Sequence, residues 1–383
     1  MNNITRHEDC FGCGVCSIGC PTDAIFMARN DDGFFRPIVD NEKCIDCGRC
    51  LDLCSLENVC NEGHSSPVRA LSAWSKDGAS RSRSTSGGFV YELSRSLIGK
   101  GYKVLCVRFN CENNKAEYYI ADNEDALLDG IGSKYAQATR FEVLKEIDFS
   151  QKYLIVATPC TISSLLKYLP EVKRRNFVLV DFFCHGIPSY NMLDKYVEYV
   201  NSKVGEISVF KFRCDDFGWQ ESTTIKALGK DGTYISSLSK GDIFFKMFLR
   251  DRCLAPCCYD NCRFKGVSSQ ADIRIGDFWG TKDSKSKQGI NAVIAFTLIG
   301  QKAIEECDGI VINDESIDDI LSGQHSSRPI RAKGYDYVRN ALKSRQSITK
   351  IEKNASIIDY VHGGYKKQFI RFLNKLKNTI KRN

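Results

Sequence analysis

The sequence predicts two units of different class, a small α+β module followed by a larger α/β domain with a mixed sheet. Three observations carry this. Two closely similar cysteine runs stand near the N-terminus, CFGCGVCSIGCP (Cys10–Pro21) and CIDCGRCLDLCS (Cys44–Ser55). A polar, turn-rich stretch, NVCNEGHSSPV (Asn58–Val68), then interrupts the chain. Beyond it, apolar strand-like runs alternate with helical periodicity, as in an α/β core. The expected boundaries are a module at 1–60, a linker at 61–70, an α/β domain at 71–325 and a basic helical extension at 326–383.

Both runs read C-x2-C-x2-C-x3-C. Zinc sites usually pair two C-x2-C ribbons across a longer gap. Three close cysteines with a fourth three residues on is the run of bacterial two-cluster ferredoxins, in which the fourth cysteine serves the other cluster. Cys10, Cys13 and Cys16 should therefore share a 4Fe–4S cluster with Cys54, and Cys44, Cys47 and Cys50 with Cys20. Gly12, Gly14 and Gly48 suit loops that turn backbone N–H groups towards sulfur. Pro21 follows Cys20 as in that pattern, whereas Ser55 takes the place of the second proline. GFFRPIVDNEKC, between the runs, supplies a hairpin strand. The expectation is a ferredoxin-like two-cluster module that passes single electrons.

The 383 residues contain 19 cysteines, which could serve disulfides, metal or core packing. The first nine residues are polar, and no apolar run approaches the roughly 18 residues of a membrane span. AVIAFTLIG, from Ala292, is only nine long. A cytoplasmic location is expected, where clustered cysteines favour metal over disulfides. The net charge of +7 equals that of YKKQFIRFLNKLKNTIKRN (Tyr365–Asn383), so the remainder is formally neutral. No nucleic-acid partner is expected from such a balance.

KVLCVRF (from Lys103), YLIVAT (Tyr153), FVLVDFF (Phe177) and AVIAF (Ala292) read as strands by apolar run and β-branched content. GGFVYELSRSLIGKG (Gly87), TISSLLKYL (Thr161) and SYNMLDKYVEYV (Ser189) carry helical periodicity. KALGKDGTYISS suggests a hairpin turning on Asp231-Gly232. STSGGF opens a helix with small residues and free N–H groups, which suits an ordinary cap or an anion such as pyrophosphate. GSKYAQAT offers Lys134 and hydroxyls. ATPCTISSL puts Cys160 at a strand-to-helix turn, and DFFCHGIPS puts Cys184 and His185 at the end of the next strand, where α/β sheets place ligands. Each cysteine taken alone is equally a buried thiol. CLAPCCYDNC crowds Cys253, Cys257, Cys258 and Cys262 into ten residues, with zinc as a competing reading.

Taken together, STSGG, GSKYAQAT, ATPCTISSL, DFFCHGIPS, KFRCDDFGW, CLAPCCYDNC and ADIRIGDFWG resemble, in order and spacing, the coenzyme F420 hydrogenase/dehydrogenase beta-subunit family in its form fused to a ferredoxin. The likeness covers roughly residues 5–325. It implies FAD and a third 4Fe–4S cluster in the α/β domain. Cofactor contacts are expected from Ser86, Gly87, Gly88, Ser133, Lys134 and Tyr135. The third cluster is expected to take a four-member subset of Cys160, Cys184, Cys253, Cys258 and Cys262, with Cys257 spare. The family's C-x2-C spacing here reads Cys258-x3-Cys262, so the subset stays open. The implied function is a flavin-dependent iron–sulfur oxidoreductase. It would link a redox partner protein or ferredoxin-type donor to a hydride-carrying coenzyme or organic substrate, in a polysaccharide-related pathway. The alternative is a non-catalytic electron-relay subunit docked on a catalytic partner.

In the basic tail, Tyr365, Phe369, Phe372, Leu373, Leu376 and Ile380 fall on one helical face, with seven Lys or Arg around them. The alternatives are a terminal helix packed on the body and peripheral contact with anionic membrane or an acidic partner.

Overall fold

In the computed structural model, residues 2–57, 66–280 and 288–361 are described. The module is a hairpin of β1 (Ile25–Arg29) and β2 (Phe35–Val39) with two one-turn helices, Val15–Ile18 and Arg49–Asp52. Each helix carries the third cysteine of its run and starts after a left-handed glycine, Gly14 at φ +78° and Gly48 at φ +76°. Nearly every other residue would be strained there.

The α/β domain holds β3 (Arg69–Ser75), β4 (Tyr102–Asn110), β5 (Lys115–Ala121), β6 (Ala138–Thr139), β7 (Lys152–Val156) and β8 (Phe177–Phe182). It continues with β9 (Ile207–Lys211), β10 (Thr224–Gly229), β11 (Gly232–Ser237), β12 (Ile273–Asp277), β13 (Asn291–Ala295) and β14 (Ile310–Asp314). Nine of these form one mixed sheet in the order β14-β3-β13-β12-β8-β7-β4-β5-β6, and β11-β10-β9 form a small antiparallel sheet. β4, β7, β8 and β12 are parallel, so the carboxyl ends of β7 and β8 lie side by side. The four strands and three helices expected from periodicity are present to within two or three residues at most ends. The hairpin pairs Gly229 with Gly232, so its turn is Lys230-Asp231, one residue earlier than expected, because Gly232 already belongs to β11.

The module is not a bead on a string. Val15, Ile18 and Leu53 share a core with Phe141, Leu144, Ile162 and Leu165 of the α/β domain. Phe11 and Phe34 join the core that holds Cys160, Ile187, Cys257 and Cys258. Buried Gln137 closes the seam: its Nε2 donates to Gly12 O at 3.0 Å and Phe35 O at 3.1 Å, and its Oε1 accepts from Phe35 N at 2.8 Å. A methyl on Gly14 would stand 2.1 Å from Phe141 Cδ1, so the approach itself requires glycine.

The helical stretch expected after residue 325 includes Tyr335–Leu342 and residues 348–361. Tyr335, Val338, Ile348 and Ile351 pack in the same core as the helix Tyr190–Val204. Fully buried Arg252 is answered by Asp359 at 2.7 Å and Ser356 at 3.1 Å. The basic segment Tyr365–Asn383 and most of the expected linker lie outside the described residues. Among those residues, no helix is long and apolar enough to cross a membrane.

Candidate functional site

The cysteines of the described residues gather in three groups that lead from the module's surface into the α/β domain. In the outer group, Cys20, Cys44, Cys47 and Cys50 line one hollow with Asn3 and Ile45. Cys47 is exposed. Burial raises Cys20, but hydrogen bonds from Thr22 and Ala24 more than offset it and bring its pKa below the usual thiol value. Ala24 N reaches Cys20 Sγ at 3.3 Å.

The inner group is Cys10, Cys13, Cys16 and Cys54. Burial raises Cys10, and Cys54 adds to the rise. Burial pushes Cys13 up to about 12, with Cys10 and Cys54 contributing. Burial also raises Cys16, which in addition feels Cys13, Cys10, Cys54 and Cys50. These mutual effects place the fourth cysteine of the second run with the first three of the first run, as the crossed spacing predicts. The Cys16–Cys50 interaction links the inner and outer groups. Four buried thiols that resist ionisation become stable thiolates only against positive charge, which ligated iron supplies. Backbone donors already point at the sulfurs: Gly12 N at 3.1 Å from Cys10 Sγ, and Leu56 N at 3.4 Å from Cys54 Sγ.

The third group forms at the sheet's carboxyl edge. Cys160 opens the helix Pro159–Tyr168 after β7, and Cys184 follows β8. Burial raises Cys160, with further increments from Cys184, Cys13 and Cys258. Burial pushes Cys184 up to about 12; Lys265 opposes this, and Cys258 and Cys262 reinforce it. Cys257 donates to Cys258, so Cys258 is lowered and Cys257 raised. Arg36, on β2 of the module, is a cation felt by Cys10, Cys257 and Cys258 alike. The structure thus brings Cys160, Cys184, Cys258 and Cys262 together with Cys257 alongside. It does not bring Cys253 to them: that thiol is raised by burial, and its other influences are Asp251, Ser189 N–H and Arg252. Tyr118 spans the gap between the inner and third groups, hydrogen-bonded to Thr161 and close to both Cys13 and Cys160.

Beneath the third group, Asp181 and Arg274 form a two-pronged ion pair at 2.7 Å, both fully buried. Arg274 also donates to Gly266 O at 2.7 Å, and neighbouring Lys265 donates to Cys184 O at 2.5 Å. This ties the loop after Cys262 to the end of β8. His185 lies against Phe248 and Asp251, with its Nδ1 3.2 Å from Nδ1 of His325.

The residues expected to contact a nucleotide divide. Gly88 caps the helix Phe89–Ile98 at φ +82°. Ser86 Oγ donates to Ile290 O at 3.0 Å, and the Gly87 position faces Ala73 O and Asn291. Ser133 meets Thr85 at 3.4 Å between their hydroxyl oxygens, which joins the STSGG and GSKY turns. Lys134 turns inward, donating to the carbonyls of Gly130, Ile131 and Gly132 at 2.6, 3.1 and 3.0 Å, and burial brings its pKa down to about 8. Tyr135 packs among Phe212, Phe244, Phe245 and Phe248. The sequence reading did not single out Arg213, Asp277, Trp219 or Trp279, although two of the family-like stretches contain them. Arg213 pairs with Asp277 at 2.7 Å and contacts Tyr135. Trp219 stacks on Trp279 at 4.7 Å between ring centres. Arg213 Nε and Trp219 Nε1 are buried donors without a partner among the described residues.

Comparison with known proteins agrees with this arrangement. Residues 70–145 match the family model for the N-terminal part of the coenzyme F420 hydrogenase/dehydrogenase beta subunit, and residues 150–319 match the model for its C terminus. The chain belongs to the coenzyme F420 hydrogenase/dehydrogenase beta-subunit family. Residues 9–58 match a 4Fe-4S dicluster domain, so this family member carries its iron–sulfur electron-transfer module on the same chain. Within the module, 45 residues are 47% identical to the B component of the Na(+)-translocating ferredoxin:NAD(+) oxidoreductase complex of Acetobacterium woodii, a match covering 12% of each protein. Among solved structures, a chain of the F420-reducing NiFe hydrogenase complex from Methanosarcina barkeri aligns over 79% of this chain and 93% of its own, at 17% identity and a TM-score of 0.47.

Proposed function

We propose that this family member is a flavin-dependent iron–sulfur oxidoreductase. The observation that carries the reading is the series of three thiol groups, linked through Cys50–Cys16 and Cys13–Cys160, that runs from an open hollow to the sheet's carboxyl edge. In this reading the outer and inner groups hold the module's two clusters, and Cys160, Cys184, Cys258 and Cys262 hold a third. Arg36 and Lys265 supply positive charge beside those sulfurs. Single electrons then enter from a redox partner protein at the exposed Cys47 side and move inward.

The region around the STSGG and GSKY turns fits FAD. Thr85 and Ser133 present hydroxyls there, and the two unpartnered donors, Arg213 Nε and Trp219 Nε1, lie on the flanking KFRCDDFGW stretch. A bound flavin would convert single electrons into the pair that a hydride-carrying coenzyme or organic substrate requires. Lys134 holds its own loop in shape, so its contribution is to position Ser133 and Tyr135. We infer a polysaccharide-related pathway as the setting, on the family likeness alone.

Anaerobic purification with iron, acid-labile sulfide and flavin analysis tests the reading. About twelve iron atoms, from three 4Fe–4S clusters, together with released FAD are expected. Eight iron atoms and no flavin after flavin supplementation would refute it. That result would favour the electron-relay subunit, for which the exposed Phe26, Ile38 and Ile45 on the module provide a docking face.

A further inference from the structure

The two cysteine runs differ at one position. The first ends Cys20-Pro21 and the second Cys54-Ser55. A proline in the second place would have no N–H to give. Ser55 has one, and it donates to Ser164 Oγ at 3.2 Å. Ser164 lies on the helix Pro159–Tyr168 and is completely shielded from solvent. Its hydroxyl has a single proton. Elsewhere in the chain Ser94 sends that proton to its own helix, to Val90 O at 2.7 Å. Ser164 instead accepts from Ser55 and donates to the thiol of Cys13, opposing the rise that burial imposes there. The hydroxyl therefore bridges the residue after Cys54 and Cys13, two members of the same inner group.

We propose that Ser55 and Ser164 are a pair of positioning residues that raise the reduction potential of the cluster held by Cys10, Cys13, Cys16 and Cys54. The inference rests on the assignment of those four cysteines as its ligands. One-electron reduction adds negative charge that spreads onto the ligand sulfurs. A hydrogen bond aimed at one of them stabilises the reduced form, and the potential rises. Ser55 N–H fixes which way the Ser164 proton points, so each serine is needed for the other to act. The inner cluster thereby becomes a place where electrons arriving at the exposed outer cluster come to rest, next to the third group.

The test is an anaerobic titration of the full chain with dithionite, followed by electron paramagnetic resonance. Ser164→Ala and Ser55→Pro should both keep their iron and sulfide and lower the inner cluster's midpoint. The expected change is about tenfold in the electron partition between the two module clusters, about 59 mV for one electron. Ser164→Thr should restore most of it, and the double variant should show no further fall. Unchanged midpoints in both single variants would overturn the proposal. Loss of iron from both would also overturn it, since the contact would then be structural. Cys13→Ser examines the ligand assignment separately. If that variant keeps all its iron and both module signals, the assignment fails whatever the serines do.

Discussion

Replacing Cys258 and Cys253 separately by alanine distinguishes two thiols that stand five residues apart in one crowded segment. Cys258 interacts with Cys184, Cys160 and Cys262, whereas the neighbours felt by Cys253 are Asp251, Ser189 and Arg252. On the proposed ligand set, Cys258→Ala removes one of four thiolates from the third cluster, and the protein should lose about four of its twelve iron atoms. Cys253→Ala should lose none. Its cost is that of a small cavity: the thiol is 3% exposed, and deleting one buried heavy atom costs about 1 kcal/mol, at the low end for core truncations. Iron and sulfide counts on anaerobically prepared protein give the first result, and denaturant unfolding of the same samples gives the second. A Cys253→Ala protein short of four irons, beside a Cys258→Ala protein with a full complement, would refute the assignment.

Three further outcomes are expected. Gly14→Ala should destabilise the seam by about 2–4 kcal/mol, from a left-handed backbone and an overlap with Phe141, as read by a lower unfolding midpoint. Lys134→Ala removes three carbonyl contacts; it should lower flavin content on purification, and an unchanged content would exclude a role for this loop in the flavin site. Protein cut after residue 364 should lose any sedimentation with anionic liposomes that the full chain shows at low salt, because seven basic groups contribute about 1 kcal/mol each near such a surface. If neither form sediments, membrane contact fails.

The phasing of the ferredoxin runs was legible because ligand spacing is local: three cysteines wrap one cluster, and the fourth is thrown to the other. The strands of the large sheet were legible for a similar reason, since a strand buried on both faces writes itself as a continuous apolar run. What could not be read was anything decided by pairs remote in sequence. Gln137 resembles a polar residue in a nucleotide-binding turn, yet its amide fastens Gly12 and Phe35 across the seam. Lys134 has the composition of a phosphate ligand, but its own loop presents three carbonyls that claim the ammonium first. Cys253 shares a crowded segment with Cys258, but its neighbours are set by Ser189 and Asp251 instead of by spacing. Arg213 is one of many arginines until Asp277 is brought to it from the far end of β12.

The shared core between module and domain fixes the reach of every electron hop. Because Val15, Ile18 and Leu53 are packed against Phe141 and Leu165, the module has no freedom to swing between a loading and an unloading position. Chains that shuttle a redox domain on a tether alternate between docking states and are throttled by linker length and solvent viscosity. This chain is hard-wired: lengthening the connection between module and domain should leave internal electron transfer untouched, and thickening the medium should slow only the encounter with the external donor.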